Sequence, residues 1–313
     1  MRLAFLYAGQ GAQRVGMGRD FYEEYPLFRE LLDSAALDFD LKAACFEGPM
    51  ETLSRTRYTQ PCLFSFAAGV TALLYARGIV PKVAAGLSLG EYSALHAAGV
   101  FDFQTALSLV AFRGRVMEEA VTDRPSAMYA ILQLGREETL EVCREAGALG
   151  VCELANLNCP GQLVIGGDRA ATERAAALAL ERGARRAVEL PVSGPFHTSL
   201  MAPAGDALRA RFRDVQFGAM RFPVLFNCLG DEMGPDDSIP ALLEKQVQSS
   251  VYMEDTIRRM EARGIDTVVE IGPSKTLAGF VRKTAKGIRT YSIDSAADFA
   301  AVAEELSKGE MVT

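Results

Sequence analysis

Short apolar runs alternate along the chain with longer stretches in which apolar residues recur every three or four positions. That rhythm predicts strands interleaved with helices, an α/β fold. Residues 3–8, Leu-Ala-Phe-Leu-Tyr-Ala, read as a buried strand, and residues 17–37, rich in Phe, Tyr and Leu, as a helical region. The uncharged stretch 58–76 carries Thr59, Gln60, Pro61, Ser65, Gly69 and Thr71 among its apolar residues, so it predicts a buried helix rather than a membrane span. Starting that helix near Pro61 puts the proline in the first turn, where its missing N–H costs nothing. Residues 83–85 predict a brief strand, 86–90 a break and 91–98 a further helix.

The middle of the chain has its own order. Residues 128–134 read as a strand, 137–146 as a helix, 151–157 and 162–165 as strands around the turn signal Pro160-Gly161, 172–182 as an Ala-rich helix and 186–192 as a strand. This βαββαβ order is that of a ferredoxin-like unit. Residues 125–193 are therefore expected to form a small domain inserted into a larger α/β domain made of 1–124 and 194–313.

Composition narrows the function classes. The 313 residues are 49% hydrophobic and 23% charged, enough to bury a large core. Lys+Arg 33 against Asp+Glu 40 gives a net charge of −7, which argues against general nucleic-acid binding. Two histidines make a His-rich metal site impossible and leave few candidates for a general base. The six cysteines, at positions 45, 62, 143, 152, 159 and 228, form no C-x-x-C pair and read as reduced, buried residues of an intracellular protein. The apolar run at the N-terminus is too short for a signal segment, so a cytoplasmic location is expected.

Gly86-Leu87-Ser88-Leu89-Gly90 matches G-x-S-x-G, the sharp strand-to-helix turn that presents a nucleophilic serine. Taken alone, the residues leave two readings open, such an elbow or an ordinary Gly-rich connection. A catalytic serine needs a base. His96 lies eight residues along the same helix, about 12 Å away along its axis, and reads as a local structural residue. That leaves His197, in Pro195-Phe196-His197-Thr198, if the serine is catalytic; otherwise it is a loop histidine without a role. Asp206 and Asp214 follow it in a solvated helical segment, and no acidic third member of a triad stands out.

Six motifs occur in order: Gly9-Gln10-Gly11-Ala12-Gln13, Gly86–Gly90 continuing through Glu91-Tyr92-Ser93-Ala94-Leu95, Phe112-Arg113-Gly114, Asn156-Leu157-Asn158-Cys159-Pro160-Gly161-Gln162, Gly194-Pro195-Phe196-His197 and Glu270-Ile271-Gly272-Pro273. Together they resemble the malonyl-CoA:acyl-carrier-protein transacylases of fatty-acid synthesis and the acyltransferase domains of polyketide synthases, over nearly the whole chain. The resemblance implies a hydrolase-like α/β domain with a parallel-rich sheet and an inserted ferredoxin-like domain. It implies Ser88 as the nucleophile carrying a malonyl ester, His197 as the base, and backbone N–H groups of Gln10 and Leu89 as the oxyanion hole. It also implies that the Gln246 carbonyl orients the histidine, that Arg113 holds the free carboxylate of malonate, and that Phe196 selects malonyl over methylmalonyl by crowding an α-methyl branch. Read without the family, Arg113 is equally a surface arginine on a helix near Glu118 and Glu119.

Two residues depart from the family pattern. Leu87 stands where the family has histidine, and Ala8 where it has proline. The implied reaction calls for no metal or redox cofactor. The implied partners are malonyl-CoA and an acidic, phosphopantetheinylated acyl carrier protein; Arg185-Arg186, and Arg282-Lys283 with Lys286, are candidates for docking it, and read equally as scattered solvated charges. Neither nucleic acid nor membrane is expected as a partner, and the stand-alone family members suggest a monomer. The alternatives are a serine hydrolase or thioesterase, and a non-catalytic carrier-binding subunit.

Overall fold

The computed structural model describes residues 1–121 and 124–310. Among the described residues there are eight strands: β1 (Leu3–Tyr7), β2 (Val83–Gly86), β3 (Ser126–Leu132), β4 (Cys152–Cys159), β5 (Gln162–Asp168), β6 (Arg186–Glu189), β7 (Thr267–Ile271) and β8 (Arg289–Ile293). They form two four-stranded sheets, one parallel and one antiparallel. The chain divides into two compact units, Met1–Gly114 with Gln216–Leu225 and Arg258–Thr313, and Arg115–Val215 with Phe226–Ile257. The 125–193 segment expected from the sequence falls wholly inside the second.

In the first unit the sheet order is β2-β1-β7-β8, all parallel. Every residue of β1, β2 and β7 is buried, as expected for parallel strands covered on both faces. The helix Thr56–Ala76 lies in this core. Its length and apolarity would let it cross a membrane, and most of its surface is instead buried within the protein. It begins five residues before Pro61, which therefore stands inside the helix and not in its first turn. Arg55 at the N-cap makes no side-chain cap, so the true start carries no sequence signal. Gly69 on this helix lets Phe28 in, because a Cβ there would fall 2.3 Å from the Phe28 ring. Phe28 in turn stacks on Phe21 at 5.2 Å between centroids. The helical region expected at 17–37 is split into Arg19–Glu24 and Pro26–Asp33. Tyr25, just before the proline, is forced into extended backbone and ends the first helix.

The second unit holds β3, the helix Arg136–Ala146, β4, β5, the helix Arg169–Glu181 and β6, in the order β4-β5-β3-β6 with every pair antiparallel. This is the ferredoxin-like arrangement that the element order predicts. Ile131, Val142, Leu154, Ile165, Ala175 and Leu178 meet between the sheet and the two helices. β6 ends at Glu189, three residues short of the expected strand. All six cysteines are buried and none is in a disulfide.

The Glu270 side chain at the end of β7 is fully buried and accepts from the backbone N–H groups of Leu277 (3.1 Å) and Ala278 (2.8 Å). It caps the helix Thr276–Thr284 from a distance, meeting donors that have no partner inside the helix. Burial is the largest influence on its carboxyl and pushes it above the usual range, against the pull of these N–H donors. A raised carboxyl stabilises most below its unfolded value, and that contribution is lost as pH rises through the folded one. Glu270→Ala should therefore cost about 1–3 kcal/mol in urea unfolding, by leaving two buried donors unsatisfied. Glu270→Gln should remove the high-pH part of the stability loss, measured as a flatter midpoint-against-pH curve.

Candidate active site

Ser88 sits between β2 and the helix Leu89–Ala97, with φ 53° and ψ −102°. That left-handed backbone is costly for a residue with a side chain and persists only where its surroundings enforce it. They do so through glycine. A Cβ on Gly86 would fall 2.1 Å from the Gly90 carbonyl carbon, and one on Gly90 would fall 2.2 Å from the Tyr7 carbonyl oxygen. Strand and helix thus touch backbone to backbone on either side of the serine. Leu87 is fixed by its main chain, donating to the Tyr7 carbonyl and accepting from the Gly90 N–H, both at 2.9 Å. The turn therefore does not call on the side chain that differs from the family.

The loop bearing Gln10 is pressed on the same turn, since a Cβ on Gly9 would lie 2.4 Å from the Leu87 carbonyl oxygen. The Gln10 side chain donates to the Thr56 hydroxyl at 3.1 Å. Ala8 donates its N–H to the Ile271 carbonyl at 3.0 Å, a bond that a proline could not make. Leu89 is the first residue of its helix, so its N–H is one of the end groups without an intrahelical acceptor.

Arg113 is fully buried on the helix Phe103–Glu119, which removes the surface reading. Its Nη2 donates to Ser88 Oγ at 3.0 Å and its Nη1 to Gln60 Oε1 at 2.8 Å. The guanidinium lies over the Tyr92 ring, 5.4 Å from its centroid. Burial is the largest influence on it, pushing its affinity for a proton down, while Tyr92 and Glu91 pull it back up. A fork held by a side-chain carbonyl and an aromatic face is oriented for a planar carboxylate. Gln60, Thr56 and Tyr92 were not among the expected site residues. A signal for Arg113 was present: positions 106, 109, 110, 113, 116 and 117 form one helical stripe, all apolar except the arginine.

His197 belongs to the second unit, in a turn where its φ is 62°. Its Nδ1–H donates to the Gln246 carbonyl oxygen at 2.9 Å. That carbonyl stands at the end of the helix Ile239–Val247, where the last carbonyls have no intrahelical donor. Fixing the proton on Nδ1 leaves Nε2 as the basic nitrogen of a neutral ring. Phe196 beside it is buried. His96 has the local role expected of it, with Nδ1 3.0 Å from the Phe101 carbonyl, and burial pushes its pKa down. Asp206 turns to Arg209 at the surface. Ser88, Leu89, Gln10 and Arg113 thus fall in the first unit, and Phe196, His197 and Gln246 in the second.

Gly86→Ala and Gly90→Ala should each cost about 4 kcal/mol or more, seen as loss of soluble protein or a collapsed urea midpoint. Gly147→Ala, where a Cβ meets nothing within 4 Å, should leave the midpoint unchanged or slightly raised.

The acyl transferase domain family model matches residues 4–309. The malonyl CoA-acyl carrier protein transacylase of Bacillus subtilis (strain 168) is 40% identical over 295 residues, 93% of each chain. The crystal structure of malonyl CoA-acyl carrier protein transacylase from Clostridium perfringens superposes with a TM-score of 0.95 at 36% identity, covering 100% of this chain and 99% of that one. A malonyl-transacylase solved in complex with its type II PKS acyl-carrier protein superposes at 0.94 with 34% identity, covering 97% of this chain and 100% of that one. With both the sequence and the fold matched from end to end, the chain belongs to the malonyl CoA-acyl carrier protein transacylase family of acyl transferases.

Proposed function

We propose that this chain moves a malonyl group from malonyl-CoA to the phosphopantetheine thiol of an acyl carrier protein, through an ester on Ser88. The observation that carries the reading is the buried Arg113 guanidinium 3.0 Å from Ser88 Oγ. An acyl group on that oxygen with a carboxylate at its far end meets the fork; a neutral acyl group leaves a buried charge without its anion.

In the proposed cycle Ser88 Oγ attacks the thioester carbon and its proton passes to His197 Nε2. The Gln10 and Leu89 N–H groups receive the developing oxyanion, each donor worth about 3 kcal/mol of barrier. Collapse expels the coenzyme A sulfur, which takes the proton from His197. The carrier thiol then gives its proton to Nε2 and attacks the serine ester, and Ser88 Oγ leaves with that proton. A carbonyl behind His197, in place of a carboxylate, stabilises the imidazolium less in each half of the cycle. Exposed cations at Arg185 and Arg186, and at Arg282, Lys283 and Lys286, supply positive charge for an acidic carrier.

Intact-protein mass spectrometry after mixing with malonyl-CoA tests this reading. A malonyl adduct on the wild type, absent from Ser88→Ala, is expected, and its transfer to holo carrier should outrun release of free malonate. No adduct, or malonate release alone, would overturn it. Arg113→Ala should lower kcat/KM for malonyl-CoA by about 10²-fold while sparing acetyl-CoA.

Phe196 makes a separate expectation. The wild type should turn over methylmalonyl-CoA at least about 10-fold less efficiently than malonyl-CoA, and Phe196→Ser should narrow that ratio. Equal kcat/KM for the two thioesters in the wild type would remove Phe196 as the selector.

A further inference from the structure

The Glu153 side chain on β4 reaches the turn that carries His197. Ser199, two residues beyond the histidine, donates its N–H to Glu153 Oε2 at 2.7 Å and its hydroxyl to Oε1 at 2.6 Å. Both are charge-assisted and both fall on one carboxylate, which fixes the Ser199 backbone in place and direction. Ser199 opens the short 3₁₀ turn Ser199–Met201, which runs straight into the helix Ala202–Phe212. The strand next to β4 closes the other side, since a Cβ on Gly166 would lie 3.3 Å from the Thr198 methyl.

The same strand holds the acceptor of the histidine. The Ser250 hydroxyl donates to the Leu154 carbonyl, Val251 N–H donates to the Ala155 carbonyl at 2.8 Å, and Leu157 N–H donates to the Val251 carbonyl at 2.9 Å. These bonds pin the chain just past the helix whose Gln246 carbonyl receives His197 Nδ1–H. Residues 153–157 therefore register two segments that are 49 positions apart in sequence and must stay 2.9 Å apart at the ring. His197 sits at φ 62°, a backbone that relaxes if its turn is released.

We infer that Glu153 is a positioning residue: its carboxylate clamps the Ser199 end of the turn so that the imidazole keeps its hydrogen bond to the Gln246 carbonyl and presents one fixed nitrogen as base. The inference rests on the proposed role of His197, and one arm of its test does not depend on that role.

With only two histidines in the chain, ¹⁵N-histidine labelling gives two ring systems to assign. In the wild type the His197 ring should show a single tautomer protonated on Nδ1. In Glu153→Ala its shifts should move toward the average of two tautomers, with His96 unmoved as internal reference. The rate of malonyl-enzyme formation should fall about tenfold with KM for malonyl-CoA within about twofold, the signature of misplacement and not of lost binding. Glu153→Gln, which keeps an acceptor for Ser199, should recover most of that rate. Ser199→Ala, which removes only the hydroxyl half of the clamp, should fall between, and it carries the test if Glu153→Ala does not fold. Unchanged His197 signals in Ser199→Ala and in any folded Glu153→Ala overturn the inference, as does a fall in melting temperature alone. If the ring signals move but the wild type forms no malonyl adduct, the clamp stands and the functional reading falls.

Discussion

The close approach of backbone to backbone at the end of β2 constrains the site more than any side chain does. Tyr7, Gly86 and Gly90 touch through main-chain atoms, and between them Ser88 is held at φ 53°. Its direction is therefore set by the sheet, and not by its own rotamer preferences. The consequences spread outward. The serine oxygen meets the Arg113 guanidinium, Arg113 is held by Gln60 on the long buried helix, and the Gln10 side chain is tied to Thr56 on that same helix. One helix thus steadies both the Arg113 guanidinium and the Gln10 loop from its first two turns.

Ser88 and His197, the proposed nucleophile and base, are held by different physics. Ser88 is kept by exclusion, because nothing larger than hydrogen fits beside it. His197 is kept by polar anchoring to a carbonyl at a helix end and, in our inference, to a carboxylate beyond it. Exclusion tolerates no substitution at the glycines, whereas anchoring degrades by steps. The difference also bears on the departures from the family pattern. Leu87 occupies a position where the main chain makes the contacts, so a changed side chain leaves those bonds standing, whereas Ala8 supplies an N–H to the Ile271 carbonyl that the family's proline lacks.

Features written locally were legible in the sequence. The G-x-S-x-G turn, the βαββαβ order and the Pro160-Gly161 hairpin each depend on neighbours a few residues apart. The break at Tyr25 was available too, in the proline that follows it. The onset of the helix at Thr56 was not, because Arg55 caps nothing and the proline at 61 suggested a later start. Arg113 is a case between. Its motif named it, yet nearby Glu118 and Glu119 suggested a wet face, and only its place in an apolar stripe pointed inward. Gln60 and Glu153 were out of reach, because their partners lie 53 and 46 positions away and no local rhythm points to them.

The parallel sheet has a temporal consequence. β1 is among the first residues made, yet one of its two neighbours is β7, with Leu3 paired to Thr267. During synthesis on the ribosome the first unit cannot close its sheet until most of the polypeptide has emerged. The antiparallel sheet, drawn entirely from residues 126–189, has all its strands available long before. The fully apolar strands β1 and β2 must wait meanwhile with one edge open, the state in which such strands are most prone to pair wrongly.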